Sequence, residues 1–138
     1  MININYLAVV AAAIGSMILG AIWYGPLFGK VWMKLMGWGN MSPEQIAEMK
    51  KKSGKGYFWM FIGNLVMGYV TAWVIGATGA ATLSAGLMTG FWLWLGYIAT
   101  VSLGGVLWEG KPVKLWKLNN AFNLLNLLMY GAIFALWQ

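Results

Sequence analysis

The side chains of this chain best placed to do chemistry are carboxamides. Asn119, Asn123 and Asn126 recur near the end of the sequence. At ~100° per residue they fall within an arc of about 60° on a helix, and Tyr130 continues the stripe. Asn120 lies beside it. In an apolar helix such groups are costly against lipid and turn toward a bundle interior or a wet cavity. Two kinds of chemistry fit. The carboxamides can hydrogen-bond across helices, with Asn64 and Thr71, or Thr89 and Thr100, as partners. Or they can line a polar path for a small solute or ion. Cross-helix bonding is the plainer reading of any single asparagine. It predicts that Asn123→Leu, near the middle of the helix, costs on the order of 1 kcal/mol, with Asn120 as a neutral control.

Other chemistry is largely excluded. The chain has no Cys, His, Asp or Arg, which removes thiol catalysis, disulfides, histidine metal sites and any His-centred triad. The acids are Glu44, Glu48 and Glu109, too scattered for a carboxylate cage. No metal or cofactor is expected. Only Glu109 could serve as acid or base, and it has no evident partner, so an enzyme is the weakest class and no catalytic residue is assigned. Gly105, Gly110 and Lys111 match the opening of a phosphate-binding loop, but Pro112 stands where a Ser or Thr hydroxyl is needed and no strand precedes. Asn40-Met41-Ser42 is formally a glycosylation sequon, on the predicted cytoplasmic side.

The elements that carry these residues are membrane helices. The chain is 61% hydrophobic and 9% charged, whereas a soluble domain carries roughly a quarter of its residues charged. Four apolar stretches, 6–27, 57–77, 83–107 and 113–137, are long enough to supply the ~20 helical residues that cross a hydrocarbon core. No segment alternates with period two, so barrels are excluded. The expected fold is an all-α integral membrane domain over 1–138 with four transmembrane helices. Residues 79–82 and 109–112 are short connections between antiparallel neighbours. A cleaved leader would want a basic start and a small-residue cleavage site. Met1 to Tyr6 holds no lysine and the first run ends in Trp23-Tyr24-Gly25-Pro26, so the first span reads as a retained helix.

Lysine placement orients the spans. Lys30, Lys34, Lys50, Lys51, Lys52 and Lys55 lie in connection 29–56, and Lys111, Lys114 and Lys117 around the start of the fourth span. The positive-inside rule then puts these cytoplasmic and both termini outside, N-out/C-out. Trp23, Trp32, Trp38, Trp59, Trp108 and Trp116 cluster toward the cytoplasmic ends as an interfacial belt. Connection 29–56 predicts a short amphipathic helix over Lys30 to Met36 after a break at Gly25-Pro26. A second helix is capped by Ser42, Pro43 and Gln45, with Met41 and Ile46 as staple and Gly54 and Gly56 as its end. The Lys50-Lys51-Lys52 run reads first as a solvated, topology-setting face, and second as a contact with lipid head groups. The net charge of +6 is explained by topology, and no nucleic acid partner is expected.

Small residues recur every fourth position: Ala11 with Gly15, Ser16 with Gly20, Gly68 with Ala72 and Gly76, Gly86 with Gly90, then Gly96, Thr100 and Gly104, and Gly131 with Ala135. Such stripes let helices approach closely, either within the bundle or between copies, and part of them points to a homo-oligomer.

The segment Gly20-Ala21-Ile22-Trp23-Tyr24-Gly25-Pro26-Leu27-Phe28-Gly29-Lys30, followed by Val31-Trp32-Met33, resembles the opening of the domain of unknown function 1761 family. The Asn5-Tyr6-Leu7-Ala8-Val9 start and the Trp108-Glu109-Gly110-Lys111 turn are similar too, so the resemblance covers most of the chain. It implies a small four-span protein of the bacterial inner membrane. It implies no activity, so no functional residues carry over. The expected function is a small homo-oligomeric channel or carrier for a small solute or ion, seated in a lipid bilayer. The alternative is a structural or regulatory subunit that binds another membrane protein or lipid.

Overall fold

In the computed structural model, which describes all 138 residues, the chain is helical with no strand. The Asn5 carboxamide oxygen accepts from Ala8 N (3.1 Å) and opens α1, Tyr6–Ile22. Pro26 has no N–H to give a helical ladder. The chain widens there into a π turn, Trp23–Leu27, and Phe28 N reaches back five residues to Trp23 O at 2.9 Å. Gly29 follows because a Cβ there would lie 2.7 Å from the Tyr24 carbonyl oxygen. The break expected at Gly25-Pro26 is therefore a π turn feeding directly into α2, Gly29–Leu35. The full capping box forms at α3, Pro43–Lys52: Ser42 Oγ accepts from Gln45 N and Gln45 Oε1 accepts from Ser42 N.

One boundary differs from expectation. Gly54 and Gly56 do not end α3; Ser53 does, and both glycines sit in the first turn of α4, Gly54–Thr78. Each glycine costs a helix about 1 kcal/mol, which the long apolar run behind them outweighs. Gly79, at φ 65°, closes α4 in the left-handed conformation that favours glycine.

Thr82 caps α5, Leu83–Leu93, by accepting from Ala85 N. The predicted third span does not continue as one α-helix. It opens into a second π turn, Trp94–Ala99, then short pieces α6, Thr100–Ser102, and α7, Gly104–Leu107. No proline lies in it. After the turn at Gly110, φ 70°, α8 runs Val113–Leu136.

α8 is the hub against which α1, α4 and α5 all pack. It runs parallel to α4, since Gly68 faces Phe134 while Ala80 O accepts from Gln138 Nε2. It is antiparallel to α1, since Gly15 faces Met129 and Gly20 faces Phe122. The core joins Ala8, Val9 and Ala12 of α1 to Ile75, Tyr130, Phe134 and Ala135. Only 22 of 138 residues are buried, while Ile14, Ile18, Val66, Val70, Trp73, Met88 and Trp92 face outward. An apolar exterior of this extent marks a surface meant for something other than water.

The small-residue stripes are mostly occupied inside the chain. A Cβ on Gly86 would strike the Gly131 carbonyl oxygen and come within 2.6 Å of the Ala135 methyl; one on Gly90 would strike the Leu127 carbonyl oxygen. Gly68 meets Val9, Phe134 and Tyr130, and Gly76 meets Ile2. Ala72 is half-buried beside them. Only Gly96, inside the second π turn, and Thr100, just after it, stay exposed as an unoccupied part of the third-span stripe. A π turn inserts about one extra residue, near 100° of rotation, so residues beyond it leave the face that Gly86 and Gly90 share.

Three helical stretches are long and apolar enough to cross a membrane: Tyr6–Leu27, Gly54–Thr78 and Leu83–Leu107, with mean hydropathy 2.0, 1.6 and 1.5. α8 has the length, but its asparagines and lysines lower its apolarity.

Candidate functional site

The asparagines of α8 divide into two groups. In the half nearer the lysines, the Tyr24 hydroxyl donates to Asn119 Oδ1 at 2.7 Å. One residue on, the Trp94 indole N–H donates to the Asn120 backbone carbonyl at 2.9 Å. Tyr24 belongs to the first π turn and Trp94 to the second, so both distortions meet α8 at one level, on consecutive residues. π turns concentrate at functional sites because they re-aim side chains that a regular helix would point elsewhere.

Asn120 is buried and the best-bonded member. Its Nδ2 donates to Ser102 Oγ and to Trp116 O, both at 3.0 Å, while the Trp116 indole N–H donates to Ser102 Oγ at 3.1 Å. The sequence placed Asn120 off the stripe as a control; the structure makes it the anchor of α6 on α8. Asn123, half-buried, makes no side-chain hydrogen bond. The expected threonine partners turn to their own helices instead: Thr71 donates to Met67 O, Thr89 to Ala85 O and Thr100 to Gly96 O. A threonine in a helix finds the carbonyl four residues back without any neighbour's help.

The second group lies near the middle of the bundle. The Tyr130 hydroxyl, fully buried, donates to the Asn64 backbone carbonyl at 3.1 Å, with Ser16 beside the phenol. Asn64 Nδ2 points at Met17 Sδ, 3.4 Å away. The carboxamide oxygens of Asn64 and Asn126 are buried without a partner, as is the Trp23 indole nitrogen. Asn64, expected as a stripe partner, is thus in place, but it reaches Tyr130 through its backbone and leaves its side-chain oxygen free.

Sequence reading missed Tyr24, Trp94, Ser102 and Trp116. Of these, only Trp116 has a role in the sequence reading, as part of an interfacial belt, although a buried indole or phenol also needs a hydrogen-bond partner. Lys50, Lys51 and Lys52 lie exposed in the last turn of α3. Glu109 pairs only with Lys111 (2.9 Å) at the surface. No cluster of metal-ligating side chains is present. A cavity of about 340 Å³ opens at the end of the bundle near both termini, lined by residues including Ile2, Asn3, Ile75, Gly76 and Trp137; no α8 asparagine lines it.

These features define an all-helical protein with three helices long and apolar enough to cross a membrane, its polar side chains gathered around one central helix. The chain belongs to the DUF1761 family, whose model, described as a protein of unknown function, matches residues 7–135. No curated protein and no solved structure matches it.

Proposed function

We propose that this is a four-span protein of the bacterial inner membrane, with both termini outside, acting as a small carrier for a small polar solute or ion. α8, with 24 residues, is about 36 Å long at ~1.5 Å per residue, enough to cross a ~30 Å core. Asn120 and Asn126 are buried and Asn119 and Asn123 half-buried, which shields most of its carboxamide surface from lipid. Every lysine falls in connection 29–56 or near the start of α8, and Lys50 to Lys52 then lie against anionic head groups. The absence of native cysteine makes orientation directly measurable. Single cysteines replacing the exposed Asn3, Ala81 or Gln138 are expected to react with an impermeant thiol reagent in intact cells, and one replacing Ser53 only after lysis. Labelling of Ser53 in intact cells would reverse the orientation.

The observation that carries the transport reading is the pair of unpartnered carboxamide oxygens, Asn64 and Asn126, inside a bundle whose helices are broken by π turns. Native proteins rarely leave such atoms dry. A carrier fits better than an open channel, because close packing at Gly86, Gly90 and Gly131 leaves no continuous bore between α5 and α8. The test is flux of Na⁺, K⁺, NH₄⁺ and glycerol into vesicles holding purified protein, against empty vesicles. A saturable flux lowered several-fold by Asn126→Leu is expected. Flux equal to that of empty vesicles for all four would remove the reading.

The structural or regulatory alternative has its own support in the Tyr24–Asn119 and Asn120–Ser102 bonds, which fasten helices together. Exposed Gly96 and Thr100 offer the surface for a homo-oligomer in either case.

A further inference from the structure

We propose that Asn64 and Asn126 together hold one water-sized electropositive guest at the middle of the bundle. This deepens the carrier reading and rests on it, since it takes the same two oxygens as the binding point.

Both residues are 2% exposed, and in each the carboxamide oxygen is buried without a partner. Helical register brings them to one level. α4 and α8 run parallel, and Gly68 touches the Tyr130 ring. One turn back along each helix stand Asn64 and Asn126, on the side toward which the Tyr130 side chain leans. The Tyr130 hydroxyl confirms the offset by reaching the Asn64 carbonyl. On the α1 side, Asn126 falls between the Gly15–Met129 and Gly20–Phe122 contacts, the same stretch that supplies Ser16 and Met17.

The chemistry of the guest follows from which atoms are unsatisfied. Both are acceptors, and around them stand the phenol oxygen of Tyr130 and the hydroxyl of Ser16. An anion finds no positive charge at this level, since all nine lysines lie between residues 30 and 55 or between 111 and 117. A divalent cation finds no carboxylate, since Glu44, Glu48 and Glu109 all lie outside the membrane-crossing stretches. What remains is a compact species that presents hydrogen or positive charge to neutral oxygens: a water molecule, or a monovalent cation such as NH₄⁺ or Na⁺. An amide flip does not relieve Asn64, because it would turn the oxygen toward the Met17 sulfur in place of the N–H.

A double-mutant cycle on the full chain in lipid nanodiscs tests this. If one guest bridges both oxygens, Asn64→Leu and Asn126→Leu each lower the unfolding midpoint by a few degrees. The double variant then falls no further than the worse single one, because the guest is lost once. If either single change raises the midpoint, the oxygen was simply dry and its removal is a relief, and the proposal fails. Additive losses also overturn it. Should a leucine variant fail to fold, Asn64→Thr and Asn126→Thr, which keep a shorter oxygen, are expected to show the same non-additivity.

Exchanging NaCl for KCl, NH₄Cl or N-methylglucamine chloride separates the sources. A midpoint that follows the cation in the wild type but not in the double variant identifies an ion, and a cation-independent coupling identifies water. Flux in the same variants separates this site from the carrier reading. Coupled midpoints without wild-type flux retain the site and remove the carrier; additive midpoints with a saturable wild-type flux that Asn126→Leu lowers do the reverse.

Discussion

Gly131→Ala is expected to cost about 3 kcal/mol of stability, from the addition of one methyl group to a packed helix crossing. The Cβ would strike the Gly86 carbonyl oxygen, and the atoms behind it are the Gly86 carbonyl carbon and the Gly90 nitrogen. All are backbone, so no side chain can swing aside. α5 and α8 would have to separate, and with them the contacts of Leu127 and Ala135. The change is read as helicity lost during unfolding in mixed micelles. Gly63→Ala is the control: it lies on the exposed face of α4, with nothing nearer than the Met60 methyl at 4.0 Å. Without a clash, exchanging glycine for alanine restricts the unfolded chain and is expected to stabilise by about 0.4–1 kcal/mol. A Gly131→Ala protein as stable as the wild type would mean that the two helices do not cross at Gly86.

Asn120→Leu is expected to cost about 1–2 kcal/mol, the range of a lost cross-helix hydrogen bond plus an incompletely satisfied partner. Leucine matches the volume but cannot bond Ser102 or Trp116 O. α6 then loses its polar fastening to α8, just past the second π turn. The Trp116 indole keeps Ser102, which limits the loss. Asn123→Leu is expected to leave stability unchanged, since that half-buried side chain bonds nothing. This ordering reverses the one drawn from the sequence, where Asn123 was the costly position and Asn120 the control. Equal losses in the two variants would mean that the Ser102 bonds are not made.

The asparagines mark the point where linear reading stops. A helical wheel gives the direction of a side chain from its own axis, and on that basis it puts Asn119, Asn123 and Asn126 in one arc. It cannot give what stands opposite. Asn119 is met by Tyr24, Asn120 by Ser102, and Asn123 by nothing that bonds it, although all leave one helix within a narrow range of directions. The wheel also assumes an unbroken helix. In the third span that assumption fails at Trp94, and the face carrying Gly86 and Gly90 toward α8 does not continue into Gly96 and Thr100.

What the sequence determined by itself is local or additive. The box of Ser42 with Gln45, the Thr82 cap, the left-handed Gly79 and the positions of the helices depend on residues within a few places of one another. Family membership depends on the order of residues alone, and it follows from 7–135. The tertiary structure decided which stripes are consumed and which polar atoms are left over. Gly86 and Gly131 are 45 positions apart, as residue numbers show, and the carbonyl that each presents to the other exists as an obstacle only once α5 lies on α8. The unpartnered oxygens of Asn64 and Asn126 belong to the same class of fact, because a hydrogen bond is a property of a pair and the pair is chosen by packing.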